Sequence, residues 1–162
     1  MVCFMFSSCG TLQPTEQQRA NTLTQERVAI SSEEFISLAT TYNMEIADIT
    51  EQLHEMGASE GIIESVYALE RDIDVSAMFF MCDNNDNAIM GFEEIKSDIE
   101  KNSGSGVYTY KSINSDNYAL YTLTVSNVVF YVCRIDNTFI YARAPKSEQQ
   151  SAENFLTELG YI

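Results

Sequence analysis

The chain has 162 residues, a length that fits one domain or one domain with a tail, and 45% of these residues are hydrophobic. It carries 24 Asp and Glu against 9 Lys and Arg, which gives a formal net charge of −15. This charge argues against a nucleic acid partner and against electrostatic docking on anionic lipid, and no apolar run approaches the roughly 20 residues of a membrane-spanning helix.

The chain starts with an apolar run that stops at a cysteine. Residues 1–6 are apolar, and Ser-Ser-Cys-Gly follows. The stretch FSSCG resembles the lipobox of bacterial lipoproteins, although Phe6 stands where that family usually has Leu. In that family the peptide is cut before the cysteine, which is then acylated. The resemblance implies that residues 1–8 are a truncated signal-peptide remnant, that Met1 is an internal methionine, and that Cys9 carries lipid.

This interpretation predicts where the protein is located and how it is attached to the membrane. It implies a bacterial extracytoplasmic protein that is lipid-anchored to the outer face of the cytoplasmic membrane, since acyl chains bind bilayers stably when two or more are attached. The alternative is a chance apolar N-terminus on a cytosolic protein. Residues 9–29 hold many polar residues and few apolar ones, so we predict a polar tether, with a helix over 16–27 as the alternative.

Residues 30–162 are predicted to form a single domain. In chain order, the apolar periodicity and the turn residues predict a helix over 32–42 capped by Ser31 or Ser32, a short strand near 46–49, and a loop or short helix over 51–61. Two strands (62–70 and 75–82) and an amphipathic helix (88–101) follow. The stretch NSGSG, residues 102–106, breaks that helix.

The last third predicts a sheet and a closing helix. A strand near 107–112 precedes three further strands, which the turn pairs Ser126–Asn127 and Asp136–Asn137 join as a meander. A helix after Ser147, the expected cap, ends at Gly160. The elements together predict an α+β fold, with an antiparallel sheet of about six to seven strands, helices packed on one face, and a possible architectural duplication of helix plus three strands.

The C-terminal third carries a second resemblance. The pattern RIDNT…LGY is similar to the ending of small uncharacterised lipoproteins of Gram-positive bacteria. The matching positions are Arg134, Asp136, Asn137, Thr138, Tyr141, Leu159, Gly160 and Tyr161. The resemblance implies a location and an architecture, and it brings no activity.

Two cysteines remain in the predicted domain. Cys82 and Cys133 each follow an apolar strand-like run, so an extracytoplasmic address makes a disulfide between them possible. The alternative is that both are buried free thiols, which behave as small hydrophobic side chains.

A twelve-residue stretch resembles a calcium-binding EF-hand loop. Asp83, Asn85, Asn87 and Glu94 occupy positions 1, 3, 5 and 12 of that pattern. However, Ala88 stands at position 6, where the sharp turn needs glycine. We therefore favour a strand-to-helix turn with an Asn or Asp cap, and weak calcium binding is the alternative.

Catalytic residue types are scarce. His54 is the single histidine of the chain, and no nucleophile motif accompanies it. A carboxylate-based extracytoplasmic hydrolase stays open, because an acidic chain offers many pairs of carboxylates. Nothing in the sequence implies a cofactor.

The tyrosines of the predicted sheet are the remaining feature. Aromatic residues on strands usually pack in the core or across strands. If several are exposed together they form a binding face, for which the candidates are Tyr108, Tyr110, Tyr118, Tyr131 and Tyr141. The sequence therefore favours a non-catalytic binding or interaction module with an unidentified protein, peptide or glycan partner.

Overall fold

The structure, a computed structural model, describes residues 26–57, 61–103 and 108–162. Its elements, in chain order, are α1 (Ser32–Thr41), β1 (Glu45–Asp48), α2 (Thr50–Glu55), β2 (Ile62–Glu70), β3 (Val75–Cys82), α3 (Asn85–Asn102), β4 (Tyr108–Asn114), β5 (Tyr118–Val125), β6 (Val128–Ile135), β7 (Thr138–Pro145) and α4 (Gln149–Glu158). A 3₁₀ turn, Lys146–Glu148, precedes α4. The predicted signal remnant and most of the predicted tether lie outside the described residues.

The strands form one antiparallel sheet in the order β1-β2-β3-β7-β6-β5-β4. The predicted α+β fold with a sheet of six to seven strands is confirmed. Each half of the chain is a helix followed by a meander, β1–β3 after α1 and β4–β7 after α3. The last strands of the two meanders, β3 and β7, pair at the centre of the sheet.

Helices cover both faces of the sheet, so the prediction that they pack on one face is wrong. Helices α1 and α4 bury Phe35 and Phe155 on one face, which we call the α1/α4 face. Helix α3 lies on the other, the α3 face, where it buries Phe92. The reason lies in the central strands, because β3 directs Phe79 to the α1/α4 face and Phe80 to the α3 face. A strand that is apolar on both sides needs cover on both sides.

Local sequence explains the helix ends. Ser31 and Glu34 form a capping box at the start of α1, and the Asn84 side chain accepts a hydrogen bond from the Asn87 backbone N–H at the start of α3. Ser147 is not the cap of α4, because it lies in the 3₁₀ turn that leads into this helix. Gly160 ends the last helix with a φ of 82°, as predicted.

Candidate functional site

Helix α3 lies over the central strands of the sheet and covers only part of its face. It contacts β3, β6 and β7. Gly91 lets the helix approach closely, because a Cβ at this position would lie 2.6 Å from Cζ of Phe139. A single helix is narrower than a seven-stranded sheet, so a cleft remains along each side of α3.

The cleft on the β3 side has a volume of about 410 Å³, and we call it the α3 groove. Apolar side chains form most of its wall, and Asp98, Asn102 and Ser103 form its polar part; the apolar residues are Met78, Ile95, Ile99, Val125, Phe130 and Tyr141. The rings of Phe130 and Tyr141 stack with their centroids 6.5 Å apart. Burial raises the pKa of Tyr141, so its hydroxyl stays protonated and is a hydrogen-bond donor.

The cleft on the β4 side has a volume of about 480 Å³ and is more polar. The Lys96 ammonium lies 5.7 Å from the centroid of the Tyr121 ring, and it also pairs with the Glu93 carboxylate at 3.0 Å. Tyr110, on β4, stands at the rim with 65% of its surface exposed. The charge of Lys96 is thus already balanced within α3.

A third cleft, of about 490 Å³, lies on the α1/α4 face between α4 and β4–β5. Its wall holds Glu153, which accepts hydrogen bonds from the Tyr131 hydroxyl at 3.0 Å and from the Gln149 amide at 2.8 Å. The bond from Tyr131 connects α4 to the sheet, and the bond from Gln149 lies within α4, so both serve packing in the folded chain.

The five tyrosines that were candidates for one binding face do not share one, so that prediction is wrong. Tyr118 and Tyr131 belong to the buried core of the α1/α4 face. Tyr110 and Tyr141 lie on the α3 face, on strands that β6 and β5 separate. Side chains alternate between faces along each strand, so residue number decides the face. Tyr108 begins β4, and its side chain is outside the described part.

The possible disulfide between Cys82 and Cys133 is contradicted, since both are free and buried. Cys82 packs in the cluster under α3, whereas Cys133 packs in the core of the opposite face. Strand β7 also separates the strands that carry them. Burial raises the pKa of Cys82 to about 11 and raises that of Cys133 further, so neither thiol forms a reactive thiolate at neutral pH.

The calcium-loop candidate is a capped turn. The Asp83 carboxylate accepts hydrogen bonds from the side-chain amides of Asn84 and Asn87 at 2.8 and 2.7 Å. Asn85 is the first residue of α3, and Glu94 is exposed on that helix. In the described part of the chain, no three His, Cys, Asp or Glu residues are grouped so that they could hold a metal ion.

The remaining candidates for chemistry are dispersed. His54 lies in the short helix α2, where its Nε2 is 2.8 Å from the backbone oxygen of Ile62. The pKa of Glu45 is lowered by a hydrogen bond from Arg71, and that of Asp48 is lowered by hydrogen bonds from Thr50. A general acid needs a raised pKa, so these carboxyl groups do not suit that role.

Several residues of the C-terminal pattern make hydrogen bonds that serve the packing of the fold, whereas Tyr141 lies in the wall of the α3 groove. The Thr138 hydroxyl bonds to the Tyr161 hydroxyl, and the Asn137 amide donates to the Cys82 backbone oxygen at 2.8 Å. Arg134, 3% exposed, donates to backbone oxygens of Ser115, Asp116 and Asp136. The strand carries the Arg134 side chain under the β4–β5 loop.

The α3 groove is the feature that the sequence did not reveal. The sequence does contain one indication of it. Strands β3 and β6 are apolar almost without interruption, which is typical of strands that are covered on both faces. Met78 of β3 and Phe130 of β6 are among the residues of these strands that are only partly buried.

Comparisons with protein families, with curated proteins and with solved structures find no match to this chain. Cys9, the predicted lipid attachment site, lies outside the described residues. Among those that are described, none of the helices is long and apolar enough to span a membrane.

Proposed function

We propose that this chain is a non-catalytic protein-binding module that is anchored by lipid on Cys9 to the outer face of the cytoplasmic membrane. Its binding site is the α3 groove, which takes an apolar segment of a basic partner protein. The existence of this groove, a half-covered apolar sheet face, is the observation that carries the proposal.

The composition of the groove supports protein binding. Its floor offers Met78, Phe130 and Tyr141, which are the aromatic and methionine side chains enriched at the centres of protein interfaces. Charges near its rim are already paired, as in the ion pair of Asp98 with Lys101 at 3.5 Å. An apolar centre with a polar, charge-balanced rim is typical of interaction surfaces.

The distribution of charge supports a basic partner. Residues 26–95 contain 16 Asp and Glu and 2 Lys and Arg, whereas residues 96–162 contain 7 and 6. Strands β2 and β3, at one side of the groove, belong to the acidic half. The field of this half attracts a positively charged partner over distances of about 10 Å and raises its association rate.

The proposed membrane location rests on the FSSCG stretch, and the position of the first described residues is compatible with an anchor that precedes them. The Arg27 guanidinium lies 4.1 Å from the centroid of the Tyr118 ring and donates to the Gly160 backbone oxygen at 2.6 Å. These contacts hold the first described residues on the α1/α4 face. A chain anchored from this side leaves the α3 groove, on the opposite face, open to a partner.

Binding is tested with a synthetic peptide of alternating Leu and Lys and a matched peptide of alternating Leu and Glu. Methyl NMR should show saturable changes in the chemical shifts of the Met78 and Ile95 methyl groups when the Leu/Lys peptide is added. The Leu/Glu peptide should cause no such changes. Met78→Glu removes one probe, so the remaining probe decides, and the shift at Ile95 should be lost in this variant. Met90→Glu, at an exposed position of α3, should keep the shifts at both residues. Shifts that persist in Met78→Glu, or that the two peptides cause equally, would refute the groove.

The address is tested separately, by mass spectrometry of the protein from membranes of its native host. We expect an acylated N-terminal Cys9, and release of the protein from the membrane by Cys9→Ser. An unmodified thiol would overturn the anchor, and the result on the groove would still hold.

A further inference from the structure

We infer that the chain associates with a second copy of itself through the free edge of β4, in an antiparallel pair related by a two-fold axis at Tyr110. This inference is independent of the proposed function. It rests on the edge itself, on the direction of its backbone groups and on the distribution of charge.

In the part of the chain that the structure describes, strand β4 is the last strand at one end of the sheet, and no further strand pairs with its outer edge. It has seven residues, and the side chains of Thr109, Tyr110, Lys111 and Ser112 are all exposed. A long free edge can pair with another chain unless proline, a bulge or several charges protect it. Within β4, Lys111 alone provides such protection.

The hydrogen bond that closes the β4–β5 loop indicates which backbone groups face outward. The Ser115 N–H donates to the Tyr118 oxygen at 2.7 Å. In an antiparallel pair, hydrogen-bonded positions alternate. With the observed register, positions 109, 111 and 113 therefore bond to β5, and positions 110 and 112 direct their N–H and C=O groups away from the sheet.

Charge selects this edge over the other one. The opposite edge strand, β1, contains Glu45 and Asp48 and lies in the half that holds 16 acidic and 2 basic residues. Pairing two copies through β1 would bring like charges together. Pairing through β4 joins the halves with 7 acidic and 6 basic residues, and it leaves the acidic ends farthest apart.

The register follows from the same two considerations. A two-fold axis at Tyr110 uses outward backbone groups, places the two Tyr110 rings side by side, and puts Lys111 opposite Thr109 of the second copy. An axis at Lys111 would also join outward backbone groups, those of Tyr110 to those of Ser112, but it would place the two Lys111 ammonium groups directly opposite each other. Aromatic cross-strand pairs are favourable, and like charges directly opposite are not.

Cysteine cross-linking tests the register in a chain with Cys3→Ser and Cys9→Ser. Tyr110→Cys should form an interchain disulfide under mild oxidation, since Cα atoms of a hydrogen-bonded pair lie about 5.5 Å apart. Thr109→Cys is the matched control. The axis places its two copies about 8 Å apart, so they should stay reduced. Equal yields for the two variants would refute this register.

Sedimentation equilibrium tests the association itself in the unmodified sequence. We expect reversible dimers that increase with concentration. Tyr110→Pro should abolish them with unchanged circular dichroism, because it removes an N–H that does not bond to β5. A protein that stays monomeric up to millimolar concentration, or dimers that persist in a folded Tyr110→Pro variant, would overturn the inference.

Discussion

Gly91 shows how one residue sets the position of a whole helix. Glycine lowers the stability of a helix interior by about 1 kcal/mol relative to alanine, so its presence in α3 needs a reason. The reason is Phe139, whose ring lies where a side chain at position 91 would start. This ring is buried and stacks on Phe80 at a centroid distance of 4.4 Å, so it has no free space into which it can move.

Gly91→Ala should therefore destabilise the protein, even though alanine favours helix. Overpacking typically costs about 1–3 kcal/mol, and the helix preference for alanine offsets about 1 kcal/mol of this, so we expect a net loss of up to about 2 kcal/mol. Urea denaturation measures it. Met90→Ala, at a neighbouring position that is 67% exposed, should stay within about 0.5 kcal/mol of the parent. Adding Phe139→Leu should recover part of the loss; a Gly91→Ala variant as stable as the parent would contradict this account.

Arg27 joins the first described residues to the end of the chain. Its guanidinium contacts the Tyr118 ring and the Gly160 oxygen, and its own backbone oxygen accepts from the Asn117 amide. Cation–π contacts contribute about 0.5–2 kcal/mol, and a hydrogen bond from a charged group contributes a similar amount.

Arg27→Met keeps the apolar stem and removes both interactions, so we expect it to lower the free energy of unfolding by about 1–3 kcal/mol. The stability of Arg27→Lys should lie between that of the parent and that of Arg27→Met, because its ammonium keeps the charge but loses the planar stacking. Thermal unfolding followed by circular dichroism ranks the stability of the three proteins. A Lys variant that is less stable than the Met variant would contradict this account.

At the scale of elements, the hairpins carry strain that the sequence tolerates. Ser126 begins the β5–β6 turn with a φ of 56°, and Asp136 begins the β6–β7 turn with a φ of 48°. Serine adopts this left-handed conformation at a cost, since its Cβ crowds the backbone.

Ser126→Gly should stabilise the protein by about 0.5–1 kcal/mol, because glycine adopts a positive φ without that cost. Asn127→Gly is the matched control. Asn127 has a negative φ, so glycine there should only increase the entropy of the unfolded chain and lower the stability. Chemical denaturation measures the free energy of unfolding of both variants. If the two substitutions change it in the same direction, the explanation from φ is wrong.

The elements themselves were largely predictable, and their arrangement was not. Ser31, Asn84 and the turn pairs act within a few residues, so the sequence indicated the ends of helices and the hairpins. Which face a helix covers depends on side chains far apart in the chain. Phe92 of α3 and Phe155 of α4 have similar helical patterns, yet they pack on opposite faces.

The candidate site shows the same limit. The tyrosines and cysteines were visible in the sequence, but their faces depend on register, and one residue of shift reverses a side chain. The α3 groove depends on how much of the seven-stranded sheet one helix covers. No local sequence pattern predicts that extent.

At the scale of the whole molecule, several buried groups hold their protons more tightly in the folded state than in the unfolded one. Burial raises the pKa of Cys82 from 9.0 to about 11 and that of Tyr118 from 10.0 to about 12. It also raises the pKa of Cys133, Tyr131 and Tyr161. These groups are neutral in both states at neutral pH, so they add no pH dependence there.

As the pH rises above 9, the unfolded chain releases these protons first, which favours unfolding. The free energy of unfolding should fall by about 1.4 kcal/mol per pH unit for each group that is ionised only in the unfolded chain. The loss begins with the thiols near pH 9 and becomes steeper above pH 10, where unfolded tyrosines ionise.

Urea denaturation at intervals from pH 7 to pH 11 measures this slope, and Tyr118→Phe shows whether buried hydroxyls cause it. The variant loses the hydrogen bond from Tyr118 to the Tyr161 oxygen, so it should be less stable than the parent at pH 7. Above pH 10 it has one ionising group fewer, and its stability should fall less steeply with pH. Parallel curves for the parent and Tyr118→Phe above pH 10 would show that this hydroxyl does not take part. A stability that stays constant to pH 11 would contradict the buried positions of the thiols and tyrosines together, because groups that ionise alike in both states give no slope.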